Sequence, residues 1–351
     1  MRRFVIAATI AALLCGCGGV NATRTQPNIL LVVVDTVRAD HVGCYGYERN
    51  TTPNMDAFAR ESVLYANCYS TCSWTKPSTT SLLTGRDCRG HGVQAAFDAL
   101  PEGVGYLPEE LQARGYQTAV FSGNMFICKQ DGFARGVDRF WQWGPDETWV
   151  SYVGREVEID DAVVVNQAIP WIRGTANPWF AYVHLMGAHA PYHLPARAHD
   201  FGEAPVDLYD AKLRYVDQQL GRLLAEVPPD TIVVITSDHG EEFGEHGGVE
   251  HGRTLYDEVV RVPLAIRWPG FGEYVESGLV GLDRIAPAIL DGRLPETGGD
   301  VKCHLEVRGA DGALMDALTR TVTAEDAREF EAGDGEAERL EMLRALGYLG
   351  D

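Results

Sequence analysis

Unbroken apolar runs alternate along this chain with stretches of helical periodicity. NILLVVVD (28–35) is apolar from Ile29 to Val34, follows Pro27 and closes on Asp35. TIVVITSD (231–238) has the same shape and closes on Asp238. A short run with no polar face predicts a strand covered on both sides, as in parallel sheets. TAVFSGN (118–124), WFAYVHL (179–185) and VPLAIRW (262–268) are further strand candidates. Helical patterns lie between them, over 54–66, 107–114, 160–173, 207–226 and 281–290. Thr52-Pro53 supports the first of these, a capping hydroxyl followed by proline in the first turn. This alternation predicts an α/β fold, a doubly wound, mostly parallel central sheet flanked by helices.

The two ends read differently. MRRFVIAATIAALLCGCGG opens with Arg2 and Arg3, then runs apolar from Phe4 to Leu14. That is too short, and wrongly flanked, to span a membrane, and it fits a secretory leader. Leu14-Cys15-Gly16-Cys17 resembles a bacterial lipoprotein signal, with cleavage before Cys17 and a lipid on Cys17. The expected location is the periplasmic side of a bacterial cell envelope, lipid-anchored, with plain secretion as the alternative. Past residue 291 come a loop (GRLPETGGD), one strand of a small sheet (VKCHLEV) and an acidic helical stretch ending in GYLGD. The expected organisation is therefore a leader and linker over 1–25, a main domain over 26–290, and a reduced C-terminal appendage over 291–351.

Composition narrows the partners. The formal net charge of the 351 residues is -20. Such a chain repels phosphate backbones, so no nucleic-acid partner is expected. A small anionic substrate is not excluded, because a metal ion or a helix end reverses the field locally. Export implies an oxidising compartment, where one or two disulfides are expected among Cys44, Cys68, Cys72, Cys88, Cys128 and Cys303. Spacing alone does not pair them.

Ligands of open α/β sheets bind beyond the carboxyl ends of the strands, where Asp35 and Asp238 would both sit. His239 follows Asp238 directly. Two carboxylates and an imidazole at separate strand ends make a candidate divalent-metal site. SDHGEEFGEHGGVEHG (237–252) adds His246 and His251 in a glycine-rich loop, where packing does not explain them. CSWTKPSTTSLLTG (72–85) offers Cys72, Ser73, Thr75 and Ser78 around a helix start marked by Pro77. A hydroxyl there can cap the helix, or it can be a nucleophile beside a metal, with the helix end holding the oxyanions of a phosphate or sulfate.

Residues 28–86, together with VHLMGAHAPY (183–192), LYDAKLRYVDQQLGRL (208–223) and the stretch 237–270, resemble the sulfatase branch of the alkaline phosphatase superfamily. The resemblance covers roughly residues 27 to 290, and the ending LRALGYLG also looks like the finish of such chains. It implies an alkaline phosphatase-like fold and a hydrolase of sulfuric or phosphoric esters. Sulfatases carry Cys or Ser in C/S-x-P-S-R, which is oxidised to formylglycine. Aligned on Pro77-Ser78, this chain has Thr75 at the nucleophile position and Thr79 in place of the arginine. Cys72 does not fit, because Trp74 stands where proline belongs. Threonine is no formylglycine precursor, since oxidising its β-carbon gives a ketone. Asp35-Thr36 and Asp238-His239 replace the usual Asp-Asp and Asp-Asn pairs.

These departures resemble superfamily members with a threonine nucleophile. The implied metal set is Asp35, Thr75, Asp238 and His239, holding one divalent ion, with zinc or manganese favoured over calcium because of the imidazole. The implied catalytic residues are Thr75, His251 and His189, with His246 as a substrate contact; Lys76 reads either as a contact to the substrate anion or as a solvated cation. The expected substrate is a small, glycan-borne or lipid-borne sulfate or phosphate ester. Two alternatives stand beside hydrolysis, an envelope transferase of phosphoethanolamine or phosphoglycerol groups and an inactive binding lipoprotein.

Overall fold

The computed structural model describes residues 26–143, 160–176, 178–192, 199–308 and 314–326. The leader over 1–25, with Cys17, and most of the acidic stretch lie outside the described residues. No helix among the described residues is long and apolar enough to cross a membrane.

Strands β1 (Ile29–Val34), β2 (Val63–Tyr69), β3 (Gln117–Ser122), β4 (Arg139–Gln142), β5 (Trp179–Leu185) and β6 (Ile232–Thr236) come first in the chain. The short β7 (Glu242–Phe243) and β8 (Val249–Glu250) follow, then β9 (Arg261–Val262), β10 (Leu264–Arg267) and β11 (Tyr274–Gly281). A final hairpin joins β12 (Val301–Arg308) and β13 (Leu314–Val322). The helices are α1 (Pro53–Ala59), α2 (Thr75–Thr84), α3 (Cys88–His91), α4 (Leu107–Ala113), α5 (Asp161–Gly174), α6 (Pro205–Leu224), α7 (Asp257–Val260) and α8 (Ile285–Asp291).

The central sheet runs β11-β2-β10-β6-β1-β5-β3-β4, with β9 also paired to β2. β1 lies between β5 and β6, parallel to both, and β3 and β4 extend the parallel part. β10 is antiparallel to β6 and β2, and β11 is parallel to β2. The sheet is thus mixed and mostly parallel, as the alternating apolar runs predict.

The run in β1 has a simple cause. Leu30, Val32 and Val34 enter the core beneath α1, α5 and α6, whereas Ile29, Leu31 and Val33 enter the one beneath α2, α4 and α8. Both faces are dry, so apolar side chains fill every position of the strand. Each such side chain contributes about 1.5–3 kcal/mol on burial. A third apolar cluster, with Tyr69, Cys72, Cys88, Leu255, Cys303 and Val322, attaches the terminal hairpin to the loop before α2. There the His304 N–H donates to the Thr71 carbonyl at 2.8 Å.

Two helical expectations are corrected. The pattern over 54–66 ends as helix at Ala59, and Val63–Tyr69 is strand β2. Pairing with β10 and β11 settles that conformation, because VLYANCY is covered on both faces. The pattern over 281–290 starts on the last residue of β11 and becomes α-helix only at Ile285. In VPLAIRW, Pro263 separates β9 from β10.

Candidate active site

Asp35 leaves the end of β1, and Asp238 and His239 follow β6. The next residue after Asp35, Thr36, has φ 59°, a left-handed conformation that a β-branched side chain rarely adopts. Surrounding bonds impose it. Tyr209 donates its hydroxyl to the Thr36 carbonyl at 2.9 Å, and Ser237 Oγ accepts the Val37 N–H at 2.9 Å. Backbone strain held in this way is characteristic of functional sites.

Thr75 is the first residue of α2. Trp74 before it is extended, and no side chain caps the first turn. The N-terminal end of the helix, with its positive dipole, is therefore offered to a ligand. Thr75 Oγ1 lies 3.5 Å from Asp35 Oδ2 and 3.3 Å from His239 Nε2. Asn124 Nδ2, just beyond β3, donates to Asp35 Oδ2 at 2.7 Å and to Thr75 Oγ1 at 3.3 Å.

The metal-ligating chemistry can be tested on these groups. Asp35 Oδ1 and Asp238 Oδ2 are buried and, among the described residues, have no hydrogen-bond donor. An acceptor buried without a donor costs about 1–3 kcal/mol. His239 Nε2 lies 3.5 Å from the first oxygen and 3.6 Å from the second. Its Nδ1 is 2.9 Å from the Gly240 carbonyl, which can only accept, so Nδ1 carries the proton and Nε2 presents a lone pair. Asp35, His184 and Asp238 offer donor atoms that all lie within 4.8 Å of one another. Two orphaned carboxylate oxygens beside imidazole nitrogens fit a divalent cation. Without one, burial and the Asp35 carboxylate push Asp238 up, while burial and the His251 imidazole push His239 down to about 3.

His251 and His189 complete one wall. The His251 ring is 4.4 Å from that of His239 and 4.9 Å from that of His189, centroid to centroid. His251 Nδ1 is 2.9 Å from Glu241 Oε1, on a fully buried carboxylate. Burial alone would lower His251, but the Glu241 hydrogen bond and charge raise it above the ordinary imidazole value. His189 lacks such a partner, so burial lowers it. The Gly252 N–H donates to the Ser73 carbonyl at 2.8 Å, tying the His251 loop to the segment before Thr75.

Thr75, Asp35, Asp238 and His239 thus stand together, with His251 and His189 against them. The two substrate-contact expectations fall elsewhere. Lys76 Nζ is fully buried and donates to the Ala96 carbonyl at 2.6 Å and to Asp131 Oδ2 at 2.7 Å. A dry ammonium needs a carboxylate, and that need commits Lys76 to the protein. His246 stacks on Tyr256 at 3.6 Å between centroids and faces Glu258 Oε1 at 3.3 Å.

Three site residues escaped sequence reasoning. His184 Nε2 is 3.1 Å from Asp35 Oδ2, and its Nδ1 is 2.7 Å from the Tyr182 hydroxyl. It stood out only as an imidazole inside an otherwise apolar strand. Asn124 is a polar residue just past a strand end, the same position that marks Asp35 and Asp238. Glu241 carried no signal beyond the acidic loop.

The sequence model of the Sulfatase family matches residues 27–292. Human N-acetylgalactosamine-6-sulfatase is 26% identical over 310 residues, which is 72% of this chain and 59% of that protein. The uncharacterized sulfatase YidJ of Escherichia coli K12 is 24% identical over 315 residues, 70% of this chain and 63% of that one. The chain therefore spans about three fifths of the length of these curated relatives. Among solved structures, the phosphonate monoester hydrolase of Agrobacterium radiobacter superposes with a TM-score of 0.67 at 18% identity, covering 92% of this chain and 95% of that one. That likeness speaks for the fold.

Proposed function

Because this chain belongs to the sulfatase family, we propose that it is a metal-dependent hydrolase of sulfate or phosphate esters whose nucleophile is Thr75. One observation carries this reading. The Thr75 hydroxyl, at an uncapped helix start, is in reach of the Asp35 carboxylate, the His239 imidazole and the Asn124 amide. Asp35, Asp238 and His239 would hold the cation, with His184 beside them; when bound, it would supply positive charge that acidifies the hydroxyl and offsets charge developing on the transferred group.

The residues divide the work as follows. Asn124 orients Oγ1 by donating to it, and the hydroxyl points at Asp35 Oδ2, which takes its proton as Oγ1 attacks and returns it when the threonine oxygen is released. Oγ1 attacks phosphorus or sulfur, and the oxyanions of the transferred group rest on the free end of α2. His251, kept protonated by Glu241, gives its proton to the leaving alcohol. The product of this half is a phospho- or sulfo-threonine. Neutral His251 then takes a proton from the water that releases the group and regains its starting form.

Phosphoryl transfer suits this arrangement better than sulfuryl transfer. A threonine ester has no hemiacetal to collapse, so sulfate release lacks the elimination route that formylglycine provides. The leader supports a protein held at the cell envelope through Cys17, acting on small or glycan- or lipid-borne esters.

The test is Thr75→Ala and Thr75→Ser against p-nitrophenyl phosphate, its phosphodiester and p-nitrophenyl sulfate. We expect Thr75→Ala to lose at least about 10³-fold in kcat, and Thr75→Ser to keep part of the activity. An alanine variant as active as the parent on all three would remove Thr75 from the mechanism. Free phosphate or sulfate as product distinguishes hydrolysis from transfer to a second alcohol.

A further inference from the structure

The chain enters the central sheet at the edge opposite the site. Asp35 and Asp238 follow the carboxyl ends of β1 and β6, whereas Gln26 and Pro27 lead into the amino end of β1. Six residues of strand separate the two edges, about 20 Å. β10 and β11 are joined at that same amino edge. Arg267, the last residue of β10, pairs with Val233 of β6, which pairs with Leu30 of β1. Tyr274, the first residue of β11, pairs with Val63, the first of β2. The connection over 268–273 therefore turns on the side where the chain comes in. Four strand spacings lie between β11 and β1, which puts Tyr274 about 19 Å across the edge from that entry.

This connection turns aromatic side chains toward water. Trp268 is buried in the core beneath α2, α4 and α8, and fixes the base of the turn. The Phe271 N–H donates to the Trp268 carbonyl at 3.0 Å, and Gly270 has φ 93°, which a glycine adopts without strain. The turn closed in this way leaves Phe271 51% exposed, and Tyr274 follows at 40%. Six large hydrophobic residues are exposed among the described residues. Two of them stand here, three positions apart, while Phe97, Val163, Val249 and Tyr256 lie on other segments. A lone exposed ring needs no explanation, but two rings beside the entry of the chain mark a contact surface.

We propose that this edge of the protein rests on the lipid surface that holds Cys17, with the Phe271 and Tyr274 rings at the level of the headgroups. The proposal rests on the lipoprotein reading of the leader and is independent of the chemistry at Thr75. Nine residue steps join Cys17 to Gln26, and fully extended they reach at most about 32 Å. The amino end of β1 is thus held close to the bilayer. A tether this short makes docking intramolecular, with an effective concentration high enough for two weak contacts to count. Phenylalanine and tyrosine suit the place, since the rings are apolar and the phenol stays wet. Charge does not supply the attraction, because a chain of net charge -20 is repelled by anionic lipid. It also repels a second copy of itself, which makes that the weaker occupant. Docked in this way, Asp35 and Thr75 open away from the bilayer, and the site is reached from the aqueous side.

The experiment produces the full chain with its leader in a bacterium and records the mass of the peptide that carries Cys17. The protein is placed on vesicles of equal parts phosphatidylethanolamine and phosphatidylcholine, with a trace of phosphatidylcholine bearing a diazirine near its headgroup. After illumination, the labelled peptides are mapped by mass. We expect label on the peptide that contains Phe271 and Tyr274, and none on peptides covering 35–41 or 237–252. Phe271→Ser combined with Tyr274→Ser should lose most of that label while the protein stays on the vesicles through Cys17. A Cys17 without lipid overturns the leader reading and the proposal with it. A lipidated chain labelled only beside Cys17, or on 237–252 at the opposite edge, overturns the docking alone. Cross-links between copies through 268–276 in place of lipid label would give this edge to a second chain and overturn it as well. The map of the parent protein decides the matter even if the double variant is poorly made.

Discussion

Replacing Asp131 by asparagine should unsettle the helix that carries Thr75 without touching the site itself. Lys76, the second residue of α2, has no exposed surface. Its ammonium has two recorded acceptors, Asp131 Oδ2 at 2.7 Å and the Ala96 carbonyl at 2.6 Å. Asp131→Asn keeps the shape but leaves a buried cation without its counter-charge. Removing one partner of a buried pair costs about 3–5 kcal/mol. The Asp131 side chain is 13% exposed, so some water reaches it, and the lower end, about 3 kcal/mol, is the expected value. For a domain of this size that lowers Tm by about 4–6 °C. Lys76→Met should cost less, because the carboxylate left behind can hydrate and still accepts from the Cys128 thiol at 3.1 Å. The double variant should then recover about 2 kcal/mol relative to the sum of the singles. Thermal and urea melts of all four proteins give the cycle. A Tm for Asp131→Asn within about 1 °C of the parent, or strict additivity, would refute the reasoning. If the ammonium served a substrate anion instead, Lys76→Met would raise KM and the cycle would show no coupling.

Three further outcomes are expected. Dialysis against a chelator should lower Tm, and zinc or manganese at a hundredfold excess over Kd should raise it again by restoring about 2.7 kcal/mol of stability; Asp238→Asn should abolish that response. Glu241→Gln should move the alkaline limb of the kcat/KM profile to lower pH and cut activity near neutrality about tenfold, because Glu241 is what raises His251; an unmoved limb would exclude the pair as the acid. Asp161, whose carboxylate accepts the Met186 and Gly187 N–H groups, is pushed up to about 7 by burial. The folded chain then binds this proton more tightly than the unfolded chain, so its contribution is present below the ordinary carboxylate pKa and is lost as pH rises toward 7. Asp161→Asn should flatten the fall in Tm between pH 5 and pH 8, and an unchanged slope would contradict the assignment.

The parts of the site that were legible in the sequence share a physical signature. Asp35 and Asp238 each end an apolar run, so a carboxylate at the carboxyl edge of the sheet followed from strand length alone. Thr75 was legible through Pro77, which marks the first turn of the helix. His184 was not, because WFAYVHL is covered on both faces and a buried imidazole there reads as packing; only the register Val33↔His184 brings it beside Asp35. Lys76 was misplaced because adjacency to Thr75 says nothing about direction. Successive side chains on a helix diverge by about 100°, and the demand of a dry ammonium for Asp131 decided the rest. In the fold, the helical pattern over 54–66 overran the start of β2, whose conformation comes from neighbours more than 190 residues away, on β10.

The central position of β1 also bears on how the protein is made. Asp35 is translated early, yet its partners in the site come from residues 75, 124, 184 and 238–239. No nascent fragment short of the β6 strand can assemble the carboxylate and imidazole donors, so a chain still emerging from the ribosome or a translocon has no selective hold on an ion. Metal choice passes to the completed fold and to whichever divalent ions surround it there. The composition of the last compartment the chain reaches, more than the one where it is synthesised, would determine which ion it carries.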